Sequence, residues 1–155
     1  MSNRWPTEQV IVTGALGWLG LRLAQTLAAG LDEHEALRGP NENLRIRALV
    51  LAGQDAAPLR KISPRVEIVE GDLRDPAACV QLCAGAKGAI LFHTAGVIHP
   101  KSVSEFYAIN VEGGKNILTA AEKAGVDSIP VKGPEETKRV IEAIIACLAD
   151  RDQAA

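Results

Sequence analysis

Three glycines stand three residues apart near the N-terminus, directly after a short apolar run. They are Gly14, Gly17 and Gly20, and residues 10–13 precede them. Gly14 permits a tight turn, Gly17 lets the backbone approach a bound group, and Gly20 lets the following helix pack closely on its strand. A helix that begins at such a turn directs its N-terminus towards an anion. The spacing therefore predicts a cradle for the pyrophosphate of a dinucleotide.

A strand and a helix must flank these glycines, and the sequence supplies both. Residues 9–13 are predicted to form a buried strand, and residues 17–29 a helix that ends at Gly30. The alternation continues along the chain, with strands at 44–51, 66–70 and 89–94 and helices at 56–61, from Asp75-Pro76 onwards, and at 104–124. Such alternation predicts a parallel sheet with right-handed crossovers. We expect a Rossmann-type doubly wound sheet in a three-layer α/β/α fold, with strand order 3-2-1-4 and a fifth edge strand beside strand four.

Details of these elements give further expectations. The long helix should bury one side, made of Phe106, Ile109, Ile117, Leu118 and Ala121, and end at Gly125. Residues 31–43, which include His34, are polar and read as a solvated surface loop. Cys79 and Cys83 are one helical turn apart and read as small core residues.

The totals exclude several classes of function. The 155 residues suit one domain, and 47% hydrophobic with 3% aromatic content indicates an aliphatic α/β core. A net charge of −2 with scattered Lys and Arg offers nothing to nucleic acid or to an anionic membrane. No apolar run approaches the ~18 residues of a membrane span, and no signal peptide is recognisable. Three cysteines without a Cys-x-x-Cys pair favour a reduced, cytoplasmic setting.

Four segments in order resemble one family. The segments are Thr13-Gly14-x-x-Gly17-x-x-Gly20 with Trp18-Leu19 inside it, Gly71 to Asp75, His93-Thr94-Ala95-Gly96 and Asn110-Val111-Glu112-Gly113. Together they are similar to the landmarks of the extended short-chain dehydrogenase/reductase superfamily, in its NAD-dependent epimerase/dehydratase branch. The resemblance covers residue 9 to about residue 126. It implies hydride transfer at a sugar or alcohol carbon, with a nicotinamide as acceptor or donor.

The resemblance also implies which residues bind the cofactor. Asp72 would accept a hydrogen bond from the adenine amino group, Ala95-Gly96 would lie beneath the adenine and ribose, and Asn110 would support a proton relay. As a polar residue inside a helix, Asn110 needs hydrogen-bond partners in any case. The full set is Gly14, Ala15, Gly17, Trp18, Leu19, Gly20, Asp72, Leu73, Thr94, Ala95, Gly96 and Asn110. His93 and His99 lack a third metal ligand, so no metal is expected; His99 belongs to a loop near the nicotinamide.

The choice between NAD and NADP is poorly encoded. An acidic residue at the end of strand two would bind the ribose 2′-hydroxyl of NAD, and an arginine there would favour NADP. Leu51-Ala52-Gly53-Gln54-Asp55 places neither at that point. NAD or NADP therefore remains open, with NAD favoured because Asp55 could reach back from the loop.

The second half of the family pattern is missing. Members carry a Ser on strand five and a Tyr-x-x-x-Lys pair, whose tyrosinate exchanges a proton with the substrate. The single tyrosine here, Tyr107, is followed four residues on by Val111. Residues 127–155 diverge: Pro130 suits only an edge strand or a loop, and a last helix is expected from Pro134. Its apolar face would dock on the sheet or pair with another subunit as a homodimer, and consists of Val140, Ile141, Ile144, Ile145 and Leu148.

Taken together, residues 1–155 are predicted to form one NAD(P)-binding Rossmann domain, family-like over 9–126 and divergent over 127–155. The expected function is that of the cofactor-binding domain of an oxidoreductase acting on a nucleotide sugar or related alcohol, catalytically incomplete as it stands. The alternative is a non-catalytic module that senses a dinucleotide or binds another protein. Whether the chain is a fragment, a shortened form or a dedicated module stays open.

Overall fold

A computed structural model describes residues 7–33 and 35–130 of the chain. Strands and helices alternate, with a 3₁₀ turn at Glu35–Leu37 inside the loop that precedes the second strand. The elements are β1 Gln9–Thr13, α1 Trp18–Ala29, β2 Arg45–Val50, α2 Ala57–Arg60, β3 Val66–Glu70, α3 Pro76–Cys83, β4 Ile90–His93, α4 Val103–Phe106, a π-helical segment Tyr107–Gly113, α5 Gly114–Ala124 and β5 Asp127–Pro130.

The five strands form one parallel sheet in the order β3-β2-β1-β4-β5. This confirms the doubly wound fold, the order 3-2-1-4 and the fifth edge strand beside β4. The chain passes from β1 outwards to β3 and then returns to the other side of β1 as β4. In such sheets, ligands bind outside the carboxyl ends of the strands at the point where the strand order reverses. That point lies where Thr13 of β1 pairs with His93 of β4.

Two apolar layers cover the faces of the sheet. All five residues of β1 are buried, and they alternate between the layers, with Val10 and Val12 on one face and Ile11 on the other. Leu27 of α1 and Phe92 of β4 complete the first layer, and both are almost wholly buried. The second layer packs α3 and α5 on the opposite face, with members that include Cys79, Leu82, Cys83, Leu91, Ile117 and Ala121. The prediction that Cys79 and Cys83 are core residues is confirmed.

The helix ends follow the sequence signals. Gly30 and Gly125 terminate α1 and α5 with φ angles of +83° and +71°, which favour glycine. Asp75 accepts the Ala77 N–H at 2.9 Å, and Pro76 begins α3 directly after it. These capping contacts fix where the loops at the carboxyl edge begin and end.

The predicted helix 104–124 needs correction. A π-helical segment separates α4 from α5, and Phe106 and Leu118 are 40% and 41% exposed rather than buried. Because a π turn holds more residues than an α turn, residues before and after it lose a common face. In α5 the buried side consists of Gly114, Ile117, Ala120 and Ala121.

An arginine on β2 fastens α3 to the sheet. The Arg47 side chain is only 14% exposed, and its Nη1 donates to the carbonyl oxygens of Leu82 and Ala84, each at 2.9 Å. Those carbonyls lie at the C-terminal end of α3, where helical hydrogen bonds run out. Arg47 also pairs with Glu67 on β3 at 3.1 Å. The Arg47 side chain thus donates hydrogen bonds from the sheet to carbonyl groups at the end of α3.

Several predictions fall on residues that the structure does not describe. These are His34 and the last helix from Pro134 with its apolar face. Within the ranges 7–33 and 35–130, no helix is long and apolar enough to span a bilayer.

Candidate dinucleotide-binding site

The glycine turn leaves no room for side chains at two of its three glycines. Gly14 has a φ of +65°, and a Cβ added there would lie 2.7 Å from the Ala95 nitrogen. A Cβ on Gly20 would lie 2.8 Å from the Gly14 carbonyl carbon. Gly17 donates its N–H to the Gly14 oxygen at 3.0 Å, which closes the turn. The turn therefore joins β1 to α1 with no space for a side chain at Gly14 or Gly20.

The start of α1 is open to a ligand. Gly17 occupies the position before the helix, and the first turn contains no acidic residue and no capping side chain. The backbone N–H groups of the first turn have no partner within a helix, and they carry the positive end of the helix dipole. Gly17 is exposed, as is the Trp18 side chain at 68%. This geometry fits a pyrophosphate, as the glycine spacing predicts.

The ends of β1 and β4 are tied together by Thr13, which is fully buried. Its hydroxyl accepts the Ala95 N–H at 3.4 Å and shares a hydrogen bond with the Nδ1 of His93 at 2.7 Å. The Thr94 hydroxyl donates to the Thr13 carbonyl oxygen at 2.6 Å. Burial lowers the pKa of His93, so this imidazole is neutral at neutral pH.

The loop after β4 is held by Asn110 of the π-helical segment. Its Oδ1 accepts the Val97 N–H at 2.8 Å, and its Nδ2 donates to the Val97 carbonyl oxygen at 2.9 Å. The expectation that this polar residue has partners is confirmed. Gly96 lies against the same amide, because a Cβ there would be 3.4 Å from the Asn110 Oδ1. Asn110 therefore sets the path of the loop that carries Ala95 and Gly96.

Asp72 is already engaged. Arg74 donates from Nε to both carboxylate oxygens at 3.0 Å, and its backbone N–H reaches Oδ1 at 2.9 Å. The side-chain hydrogen bond from Arg74 lowers the pKa of Asp72 against the opposing effect of burial. The Asp72 side chain is 31% exposed, and a carboxylate has lone pairs for more than one donor. Its contact with an adenine amino group stays a prediction.

The structure brings most of the predicted residues to one edge of the sheet. Gly14 touches Ala95, Gly96 touches Asn110, and Thr94 bonds to Thr13. The side chains of Ala15 and Leu73 lie in the core, and that of Leu19 is partly buried against it. Leu73 is linked to α5, the helix that follows the π-helical segment, since its carbonyl oxygen accepts a hydrogen bond from the Asn116 side-chain amide at 2.9 Å.

The roles of two residues could not be found from sequence spacing. Thr13 and His93 are 80 residues apart, and only the parallel register of β1 with β4 makes them neighbours. The available signal is that both residues end predicted adjacent strands. In the described part of the chain, no group of three or more His, Cys, Asp or Glu side chains is arranged to hold a metal ion.

A groove away from this edge also occurs among the described residues. Its volume is about 730 Å³, and it runs between α1 and the segment 58–64, with Gln25, Ala28, Pro40 and Ile62 in its lining. It contains none of the predicted site residues. The glycine turn instead lies on an open edge, which suits an extended ligand that runs across several strand ends.

The sequence of this chain matches a protein family and several known proteins. Residues 10–150 match the NAD dependent epimerase/dehydratase family. An uncharacterized protein of Sinorhizobium fredii is 50% identical over 117 residues, which cover 76% of this chain and 32% of that protein. The 3 beta-hydroxysteroid dehydrogenase/Delta 5-->4-isomerase of Mycobacterium tuberculosis is 33% identical over 129 residues, covering 76% of this chain and 29% of its own length.

A solved structure shows the same fold with a cofactor. A variant of uronate dehydrogenase from Agrobacterium tumefaciens, in complex with NAD, has a TM-score of 0.56 and 26% identity, over 78% of this chain and 40% of that one. The chain thus spans about a third of the length of the two curated relatives.

Proposed function

This chain belongs to the NAD dependent epimerase/dehydratase family, and on that premise we propose that it is the cofactor-binding part of an oxidoreductase of that family. The observation that carries the proposal is the glycine turn. It packs on Ala95 with no space for a side chain at Gly14, and it leaves the N-terminus of α1 uncapped. The family and its NAD-bound neighbour support a nicotinamide dinucleotide as the ligand.

Each described part of the edge has a task in this proposal. The N–H groups at the start of α1 bind the pyrophosphate, and the Ala95-Gly96 backbone supports the adenosine. Thr13 and Asn110 hold that backbone in place through hydrogen bonds at both of its ends. A bound nicotinamide would supply the hydride acceptor or donor. The residues of this chain bind and orient it.

We expect binding without efficient turnover by this chain alone. The reaction needs an acid–base group whose pKa suits proton exchange with a hydroxyl. In this sequence the only tyrosine, Tyr107, lies 57% exposed on the π-helical segment, with Val111 four residues later. The substrate class proposed for the complete site is a nucleotide sugar or related alcohol. A module that senses a dinucleotide without turning it over is the second candidate, and the missing Tyr-x-x-x-Lys pair favours it.

A thermal-shift titration tests binding. If NAD(H) binds the folded chain, a concentration of 100 times the dissociation constant stabilises it by about 2.7 kcal/mol, since only the folded state binds. For a chain of this size the melting temperature should rise by about 5–10 °C. The absence of any shift with NAD, NADP and their reduced forms contradicts the proposal.

A substitution at Gly17 shows whether the shift comes from this turn. Gly17 has a φ of −68°, which any residue adopts, and it is exposed. A Cβ there would nevertheless lie 3.2 Å from the Gly14 carbonyl oxygen, so Gly17→Val should lower the unliganded melting temperature modestly. Its side chain would stand where the pyrophosphate approaches, so the ligand-induced shift should disappear. A shift equal to that of the wild type would show that the ligand binds elsewhere.

Turnover of a nucleotide sugar by the pure chain would contradict the expectation that this chain binds the cofactor without catalysis.

A further inference from the structure

The carboxyl end of β2 lies beside the glycine turn. Val12 of β1 pairs with Ala48 of β2 in parallel, so Val50 ends β2 at the level of Gly14. The residues that follow Val50 therefore reach the edge next to the predicted pyrophosphate. In dinucleotide-binding sheets, a carboxylate at this place binds the ribose 2′-hydroxyl of NAD, and an arginine accepts the 2′-phosphate of NADP.

Neither group stands there in this chain. Leu51, which is 46% exposed, directly follows β2, and no Lys or Arg occurs over residues 51–57. Asp55 is the only carboxylate in that stretch, and its Oδ1 accepts the Ala57 N–H at 2.9 Å at the start of α2. The expectation that Asp55 reaches back to the ribose thus competes with a hydrogen bond that begins a helix.

Gln54 is the side chain fixed at this edge. Its backbone N–H donates to the Leu51 carbonyl oxygen at 3.1 Å, and its side-chain Oε1 accepts the Leu51 N–H at 3.3 Å. Both bonds hold the amide at the end of β2. Over residues 7–33 and 35–130, no group accepts a hydrogen bond from the Gln54 Nε2. An uncharged donor therefore occupies the place of the selective carboxylate or arginine.

We infer that Gln54 is the residue that contacts the ribose 2′-oxygen, and that the chain binds NAD(H) and NADP(H) without strong discrimination. An amide donor can bond to a hydroxyl oxygen or to a phosphate oxygen, whereas a carboxylate repels a phosphate. The inference rests on the proposed dinucleotide site. It predicts that the dissociation constants for NADH and NADPH lie within about tenfold of one another. This corresponds to a difference in binding free energy of at most about 1.4 kcal/mol.

Calorimetric titrations of the full chain with NADH and NADPH test this directly. The wild type should give a ratio of dissociation constants below about tenfold. Gln54→Glu places a carboxylate beside the 2′-phosphate, so it should weaken the binding of NADPH at least about tenfold relative to the binding of NADH. A wild type that binds NADH but discriminates against NADPH more strongly overturns the inference and leaves the proposed function intact. An unchanged ratio in Gln54→Glu also overturns it.

Asp55→Asn is the matched control, because asparagine still accepts the Ala57 N–H at a helix start. It removes the only charge in the loop, and the inference expects it to leave the ratio as in the wild type. A marked gain in NADPH affinity on this substitution would make Asp55 the selective residue and refute the role given to Gln54. Failure of the wild type to bind either cofactor refutes the proposed function itself, and this inference with it.

Discussion

Two glycines with nearly the same φ angle form a matched pair that tests how closely the turn packs on the end of β4. Gly14 has a φ of +65° and Gly85 a φ of +66°. A Cβ on Gly14 would meet the nitrogen and Cα of Ala95 at 2.7 and 2.8 Å, whereas a Cβ on Gly85 would meet nothing within 4 Å. Both φ angles are unfavourable for alanine, but only Gly14→Ala also forces the turn away from the end of β4.

The magnitudes follow from those two contributions. A positive φ costs alanine about 1 kcal/mol relative to glycine, so Gly85→Ala should lower the free energy of unfolding by about that much. Gly14→Ala adds an overpacked contact against backbone, which costs about 1–3 kcal/mol more. The expected loss at Gly14 is therefore about 2–4 kcal/mol, a large share of the marginal stability of a domain.

Urea denaturation of both variants measures this difference. Both should keep the slope of the wild type, so that the shift in midpoint reports stability. Because the displaced Ala95 belongs to the proposed site, Gly14→Ala should also weaken NADH binding at least about tenfold, a loss of about 1.4 kcal/mol. Gly85→Ala should bind as the wild type does. Equal destabilisation by the two substitutions would refute the claim that the turn packs on the end of β4.

Three other contacts give predictions of their own. Asn110→Asp keeps the acceptor for the Val97 N–H and loses the donor to its carbonyl, so it should destabilise the chain by about 1–3 kcal/mol at neutral pH; unchanged stability in urea would rule out this clamp. Because burial lowers the pKa of His93 below 6.5, the unfolded chain takes up a proton first as the pH falls. The free energy of unfolding should therefore fall by up to about 1.4 kcal/mol per pH unit below 6.5, and His93→Asn should abolish that component of the slope; an identical slope in the variant argues against it. Arg47→Met removes two hydrogen bonds to carbonyl oxygens at the end of α3 and should lower the free energy of unfolding by about 2–4 kcal/mol. Glu67→Gln changes only the exposed ion pair and should lower it by less than about 1 kcal/mol in the same urea assay. Equal losses would assign the effect to the ion pair.

Much of the fold could be predicted because its signals are local and agree with one another. The glycines at 14 and 20 are required by crowding that the structure shows, and their spacing alone predicts the strand–turn–helix around them. Alternation of strands and helices predicts a parallel sheet with right-handed crossovers, and the resemblance to the family adds the strand order. The breakers Gly30 and Gly125 end their helices as expected.

The misses have physical causes that a single sequence does not display. A 3.6-residue period carried through the π-helical segment predicts a buried Phe106, which is exposed. Leu118 lies within α5, beside the buried side formed by Ile117 and Ala121. The Thr13–His93 bond depends on the register of two strands that are 80 residues apart. The partner of Asp72 is also a matter of geometry, since Arg74 reaches its carboxylate only where the chain turns after β3. Side-chain partners at the edge of the sheet thus emerge from tertiary structure.

The location of the bound cofactor is the central claim, and a titration of the ¹⁵N-labelled chain with NADH followed by NMR tests it most directly. The account predicts that the largest changes occur in the amide signals of Ala15, Gly17, Trp18, Ala95 and Gly96, while those of Gln25 and Ile62 in the distant groove stay constant. Saturating NADH that leaves the first group unchanged, or that shifts only the second, would contradict it.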